Sequence, residues 1–195
     1  MTTLIIPGLD GSRFGHWQQW WLDTDPKAKL VQLTELHNPV PAAWEVELIS
    51  AVLDNPGAIL VGHGLGAVLI ARVLAQWPHL DVKGALLVAP AEDPEHPRAR
   101  PFIPLPEVPL GRPATVVGSR NDPWMTHSRV KALAGYWQAR FVDLGMAGHI
   151  NIESGFGPWP LGLALRDELR ERATLGSPTQ AVNWNKRPIF HARRS

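Results

Sequence analysis

Residues 58 to 66 read Ala58-Ile59-Leu60-Val61-Gly62-His63-Gly64-Leu65-Gly66. A continuously apolar run, then closely spaced glycines, then Ala67-Val68-Leu69-Ile70 describe a buried strand that turns sharply into a helix. Such a turn needs small residues on both sides, because strand and helix pack closely, and Gly62 and Gly66 meet that need. With serine at its centre the stretch would be the elbow on which a hydrolase mounts its nucleophile. The centre is Gly64, which tolerates the strained backbone but brings no hydroxyl. Glycine-rich strand-to-helix turns also bind phosphates, so this stretch alone leaves the chemistry open.

Outward from the elbow, strand and helix patterns alternate along the chain. Strands are expected at Leu4 to Ile6, Lys29 to Leu33, Ala58 to Val61, Ala85 to Val88, Ala114 to Val117 and Phe141 to Leu144. Helices are expected from Trp17 to Leu22, from Pro41 to Leu53, and from about Ala67 to Trp77, Ser128 to Gln138 and Leu161 to Arg172. Strands that are apolar throughout, rather than alternating, are buried on both faces. The expected fold is therefore α/β, a doubly wound, mostly parallel sheet flanked by helices. Residues 90 to 113 break the rhythm with eight prolines and read as a loop over the end of the sheet where such folds bind ligands. Residues 1–175 are expected to form one domain. An extended arm, 176–195, follows with Trp184 and the basic residues Lys186, Arg187, Arg193 and Arg194.

Composition narrows the function classes. The 195 residues carry 19 basic and 18 acidic side chains, which gives no electrostatic footprint for nucleic acid or an anionic membrane. A small, near-neutral substrate fits that balance better than a polyanion. The chain has no cysteine, which removes disulfides, thiolate nucleophiles and Cys-ligated metals. No His pair has metal-ligand spacing; His63 reads as an elbow neighbour and His127 as a residue near a helix start, and neither a metal nor a cofactor is expected. The stretch Met1 to Pro7 lacks a basic segment and a long apolar one, so a cytoplasmic protein is expected. Nine tryptophans are unusual, and such rings line pockets as well as cores. Oligomeric state is left open.

Two further loops at strand ends carry candidate chemistry. Gly118-Ser119-Arg120-Asn121-Asp122-Pro123-Trp124 follows one apolar strand, and Asp122 there is placed to orient an imidazole. Asn121-Asp122-Pro123 equally suits a turn and helix cap, and spacing leaves both readings open. Gly145-Met146-Ala147-Gly148-His149 follows the last strand, where an α/β-hydrolase places its general base. The order of position 64, then Asp122, then His149 is the order that fold uses. After the first strand comes Pro7-Gly8-Leu9-Asp10-Gly11-Ser12, where the backbone N–H of Leu9 can pair with that of Leu65 as an oxyanion hole. Asp10, Ser12, His16, Trp17 and Trp124 are the candidate substrate contacts. Ser12 reads as a helix cap more readily than as a substitute nucleophile, and Trp17 suits the core equally well.

The segments PGLDGSRFGHWQQWW, VGHGLGA, GALLVAP, SRNDPW and AGHINIESGFGPWP, taken together, resemble the small serine hydrolases related to retinoblastoma-binding protein 9 and the bacterial YdeN proteins. The resemblance spans about residues 3 to 170. It implies a compact α/β-hydrolase fold with a minimal lid, and a Ser-Asp-His triad with Asp122 and His149 as acid and base. The family's serine falls at position 64, where this chain has Gly64. The implied function is that of an esterase or acyl hydrolase, inactive or strongly impaired without its nucleophile. Either Gly64 was introduced into a working hydrolase, which the retained Asp122, His149, Gly62 and Gly66 favour, or it is a natural loss that leaves a ligand- or protein-binding module.

Overall fold

The apolar runs of the sequence are divided, residue by residue, between two cores. The computed structural model describes residues 1–175; the expected arm at 176–195 lies outside the described residues. Six strands, β1 (Thr3–Ile6), β2 (Ala28–Leu30), β3 (Ala58–His63), β4 (Val82–Val88), β5 (Ala114–Gly118) and β6 (Arg140–Asp143), form one sheet in the order β2-β1-β3-β4-β5-β6. Every neighbouring pair is parallel. Side chains of a strand alternate between faces. Leu4, Ile6, Leu60 and Leu87 accordingly join a core under α2 (Pro41–Leu53), α3 (Leu65–Gln76) and α4 (His127–Tyr136). Ile5, Ile59, Val61, Leu86 and Val88 join a second core under α1 (Trp17–Thr24) and α5 (Pro160–Thr174). Helices on both faces of a parallel sheet account for the runs being apolar throughout.

The strand order places the reversal of direction between β1 and β3. From β1 the chain steps out to β2, then returns across to β3 and continues to the other edge. Loops leaving β1 and β3 at their carboxyl ends diverge there and open a crevice, the usual ligand position in such sheets. Both the Pro7–Gly11 loop and the Gly64 elbow leave the sheet at this point.

Three sequence expectations change. The second strand is shorter than expected, ending at Leu30, although Val31 and Leu33 are buried. β4 begins earlier, at Val82, through the exposed Lys83. Residues 90 to 113 do not simply cover the end of the sheet. Ala91, His96 and Arg98 reach the crevice, after which Ala99, Phe102, Leu105 and Leu110 run back along the helical face as buried core. Phe102 packs edge-on against Trp44 at 5.5 Å, and the Phe102 carbonyl accepts from Arg72. The prolines there limit regular structure to a single 3₁₀ turn, Arg100–Phe102, without preventing burial.

Candidate active site

Gly64 sits between β3 and α3 with φ 56° and ψ −121°. That region is open to glycine and costs other residues about 1–3 kcal/mol. Its neighbours are fixed by close approach: a methyl on Gly62 would lie 2.6 Å from the Gly66 backbone, and one on Gly66 would lie 2.4 Å from the carbonyls of Ile6 and Pro7. The elbow is therefore clamped against the β1 loop. A methyl on Gly64 itself would meet little except the His149 ring, with Nε2 at 3.3 Å.

His149 is held from behind. Both carboxylate oxygens of Asp122 lie 3.0 Å from its Nδ1, and the two side chains are 4% and 12% exposed. With Nδ1 held by Asp122, Nε2 is the ring nitrogen turned toward Gly64. The two readings of Asp122 are both realised in part. Its Oδ1 also accepts the N–H of Trp124 at 2.9 Å, which is the turn, but the cap of α4 is Thr126, whose side chain accepts from Arg129. The loops of Asp122 and His149 are stitched together by residues that sequence reasoning missed. The hydroxyl of Ser119 accepts from Ala147 N–H and Asn121 Oδ1 accepts from Gly148 N–H, while Ser154 Oγ accepts from His149 N–H. His63 Nε2 donates to the His149 carbonyl at 2.8 Å, and the two rings stand 4.7 Å apart.

These groups open on a cleft of about 220 Å³ lined by Leu9, Asp10, His16, Gly64, Leu65, Trp124 and His149, with His63, His96 and Arg98. Leu65 is the first residue of α3, so its N–H belongs to the unpaired first turn, where the helix dipole favours negative charge. Gly8 brings the β1 loop against it: a methyl there would lie 3.5 Å from Leu65 N. Among the described residues no acceptor is bonded to the N–H of Leu9 or of Leu65. Leu9, Leu65 and His149 thus meet at one small cleft.

Two expected substrate contacts do not reach it. Trp17 is fully buried, with Nε1 donating to the Ile150 carbonyl and its ring stacked edge-on against Trp21 and Trp159. Ser12 donates to Gln18 Oε1 and does not line the cleft. Nor is Ser12 the cap of α1; His16 is, accepting from Gln18 N–H through Nδ1. Of the tryptophans within the described residues only Trp124 lines the cleft, and Trp17, Trp21, Trp44 and Trp137 are fully buried core. Asp10 lines the cleft with its carboxylate already engaged by Arg98 at 2.8 Å and His37 at 2.7 Å. Partial burial raises the Asp10 pKa, but those two partners outweigh it and hold the carboxyl below its ordinary value. Burial lowers His16 to about 4, with nearby Glu153 opposing and His149 adding to the shift. Burial likewise pushes His63 well below the usual histidine range, helped by His149 and His16. Both rings are neutral at pH 7.

Within the described residues no helix is long and apolar enough to cross a membrane. No curated protein matches the sequence. Among solved structures the chain is similar to a YdeN-like hydrolase from Pectobacterium atrosepticum, at 34% identity and a TM-score of 0.81 over 88% of this chain and 91% of that one. The ydeN gene product of B. subtilis is 20% identical over 87% of this chain and 98% of its own, with a TM-score of 0.67. Est1E from Butyrivibrio proteoclasticus is 12% identical over 89% and 88% of the two chains, with a TM-score of 0.63. The last two likenesses extend to the fold alone, which is that of the α/β-hydrolases. The family described as serine hydrolase matches residues 3–168, and the chain belongs to it.

Proposed function

We propose that the cleft is the site of an esterase or acyl hydrolase for a small ester, with Asp122 and His149 as acid and base and with Gly64 in the nucleophile's place. One observation carries this reading. His149 Nε2 lies 3.3 Å from where a side chain at position 64 would begin, while its Nδ1 is held by Asp122 at 3.0 Å. A serine hydroxyl one bond beyond that Cβ falls within hydrogen-bonding reach of the imidazole.

With serine present, His149 takes the hydroxyl proton at Nε2 as Oγ bonds to the acyl carbon. Charge on the carbonyl oxygen is met by the N–H groups of Leu9 and Leu65. As the tetrahedral centre collapses, the imidazolium returns the proton to the leaving alcohol. Water, deprotonated by the same nitrogen, then releases the acid and restores the serine. Asp122 keeps the ring in the tautomer that can accept at Nε2. Without the hydroxyl this route falls by about 10⁶ in kcat. His149 can still act directly on water as general base, a slow route that turnover in this chain and in His149→Ala distinguishes; equal rates exclude it.

The retained dyad favours an otherwise competent scaffold into which Gly64 was introduced. Gly64 itself favours the second reading, a small-ligand or protein-binding module that has lost catalysis naturally. Gly64→Ser separates the two. Labelling by a fluorophosphonate probe and turnover of short p-nitrophenyl esters are expected on the first reading, and a silent protein overturns it.

A further inference from the structure

His16 is 5% exposed and lines the cleft. Its Nδ1 accepts the Gln18 N–H at 3.1 Å as the cap of α1. A neutral imidazole carries one proton, and with Nδ1 occupied as acceptor that proton is on Nε2. Among the described residues Nε2–H meets no acceptor, and it is not sealed in the interior as an orphan either. The ring is clamped in place: it stands 5.0 Å from His63 and 5.3 Å from Trp17, and His63 is itself tied to the His149 carbonyl. A fixed, nine-tenths-buried donor is thus left for whatever enters beside His149.

We propose that His16 is a specificity-determining donor of the cleft, whose Nε2–H reads an uncharged oxygen, an ether, hydroxyl or carbonyl, near the scissile ester of the substrate. This rests on the hydrolase reading of the cleft. The scissile carbonyl is not its partner, since the amides of Leu9 on the β1 loop and Leu65 at the elbow take that role in the proposed mechanism. The charged side chains lining the cleft are balanced, Asp10 and Glu153 against Arg13 and Arg98, so the cleft selects no net charge, and Glu153 is the carboxylate that acts on the His16 ring. A cation has no lone pair to offer. An alkyl chain passing His16 would displace water from the donor and leave it without a partner, which is how a polar site rejects an apolar isostere.

The test uses three esters of matched shape on the Gly64→Ser protein: butyl butanoate, butyl methoxyacetate and 2-methoxyethyl butanoate. Either ether replaces one methylene by oxygen, on the acyl or on the alcohol side. His16→Asn preserves the helix cap and shortens the side chain, whereas His16→Phe preserves ring packing without the donor. Both variants are expected to lower the kcat/KM preference for one ether ester over butyl butanoate by about five- to tenfold. A purely structural role would lower all three rates together. Preferences equal to those of the unaltered ring, for both ether esters, overturn the proposal.

A binding measurement on the chain with Gly64 keeps the two readings apart. Histidine-selective ¹⁵N spectra are recorded with N-butylbutanamide, N-butylmethoxyacetamide and N-(2-methoxyethyl)butanamide at millimolar concentration. The His16 Nε2–H resonance is expected to move with one ether amide and not with N-butylbutanamide; the same response to all three, or none, overturns the assignment. If Gly64→Ser is silent while this resonance still discriminates, the hydrolase reading fails and the donor stands. If Gly64→Ser is active and the preferences do not depend on His16, the donor fails alone.

Discussion

Two polar clusters sit at opposite ends of the sheet, and they are finished differently. At the amino end Arg166, 4% exposed, donates to Thr3 Oγ1 at 3.0 Å, Asp25 Oδ2 at 2.5 Å and Asp167 Oδ1 at 2.8 Å, with its guanidinium 5.4 Å from the Trp21 ring centre. Arg170 adds donors to Thr3 and Asp167. Only Arg170 Nε and Trp21 Nε1 are left unpaired there among the described residues, and both are enclosed. At the carboxyl end, His149 Nε2, His16 Nε2–H and the N–H groups of Leu9 and Leu65 have no hydrogen-bond partner among the described residues, and all four residues line the cleft. A nearly saturated cluster of charge holds elements together. An unsaturated one, preorganised and facing solvent, is what binding and catalysis require.

The comparison is broken most directly at the open end. Gly64→Ser is expected to raise ester turnover by up to about 10⁶. Within that protein Asp122→Asn should forfeit about 10⁴ by leaving His149 in the wrong tautomer. The same serine must occupy φ 56°, so a urea melt should find it about 1–3 kcal/mol less stable than the glycine chain. Function and stability would then move in opposite directions at one residue. The closed end should show no such trade. Arg166→Met leaves the half-buried carboxylate of Asp25 without its main partner, with Arg170 at 3.7 Å remaining, and is expected to cost about 1–3 kcal/mol in the same melt. Probe labelling of Gly64→Ser should be unaffected by it at temperatures where the fold persists. Loss of labelling with the fold intact would show that the two ends are coupled.

Much of this division was legible in the sequence, for a physical reason. Strands such as Ile59-Leu60-Val61 are apolar on both faces because both faces are covered, so the pattern reports the layers directly. Position 64, Asp122 and His149 were placed by their distance past such strands, which fixes the rim but not the partners. What supports them was not legible. Ser119 and Ala147 are 28 residues apart, and His63 and His149 are 86 apart; only the sheet brings them together. Of the two readings left open for Trp17, the structure takes the core, a choice sequence cannot make because an aromatic ring near a cleft and one beneath it have the same neighbours in sequence. Residues 90 to 113 misled because proline density reports irregular backbone, whereas the burial of Phe102 depends on a groove built by α2 and α3.

The pH response sharpens the contrast, because the two ends depend on pH in different windows. His16 is lowered to about 4 in the folded chain, chiefly by burial, against 6.5 when unfolded. Between those values the unfolded state binds the extra proton, so stability should fall as pH drops from about 6.5 towards 4, by on the order of 3 kcal/mol. His63 is lowered too and acts in the same direction. His16→Asn should flatten that part of the profile in denaturant melts between pH 7 and 4. Asp25 behaves otherwise: burial raises it, but the Lys27 N–H and the Arg166 guanidinium outweigh that and depress it below 3.8. Its contribution should persist through the histidine window and disappear only below about pH 4. An Arg166→Met chain whose deficit changed between pH 6.5 and 5 would contradict the assignment of separate windows.

The smallest effect tests whether proximity to the open end is enough to matter. Ser12 lies on the same loop as Leu9 and Asp10, yet its hydroxyl is engaged with Gln18, whose Nε2 in turn donates to the Ile6 carbonyl at 3.0 Å. It therefore belongs in character to the saturated cluster, although it sits beside the unsaturated one. Ser12→Ala should cost about 1 kcal/mol in a urea melt, the net worth of an ordinary hydrogen bond. In the Gly64→Ser protein it should leave kcat/KM for p-nitrophenyl acetate within about twofold, since no open valence of the cleft is touched. A tenfold fall in kcat/KM at unchanged stability would mean that the loop reads substrate through Ser12, and that counting unpaired atoms does not separate the residues that act from those that hold them.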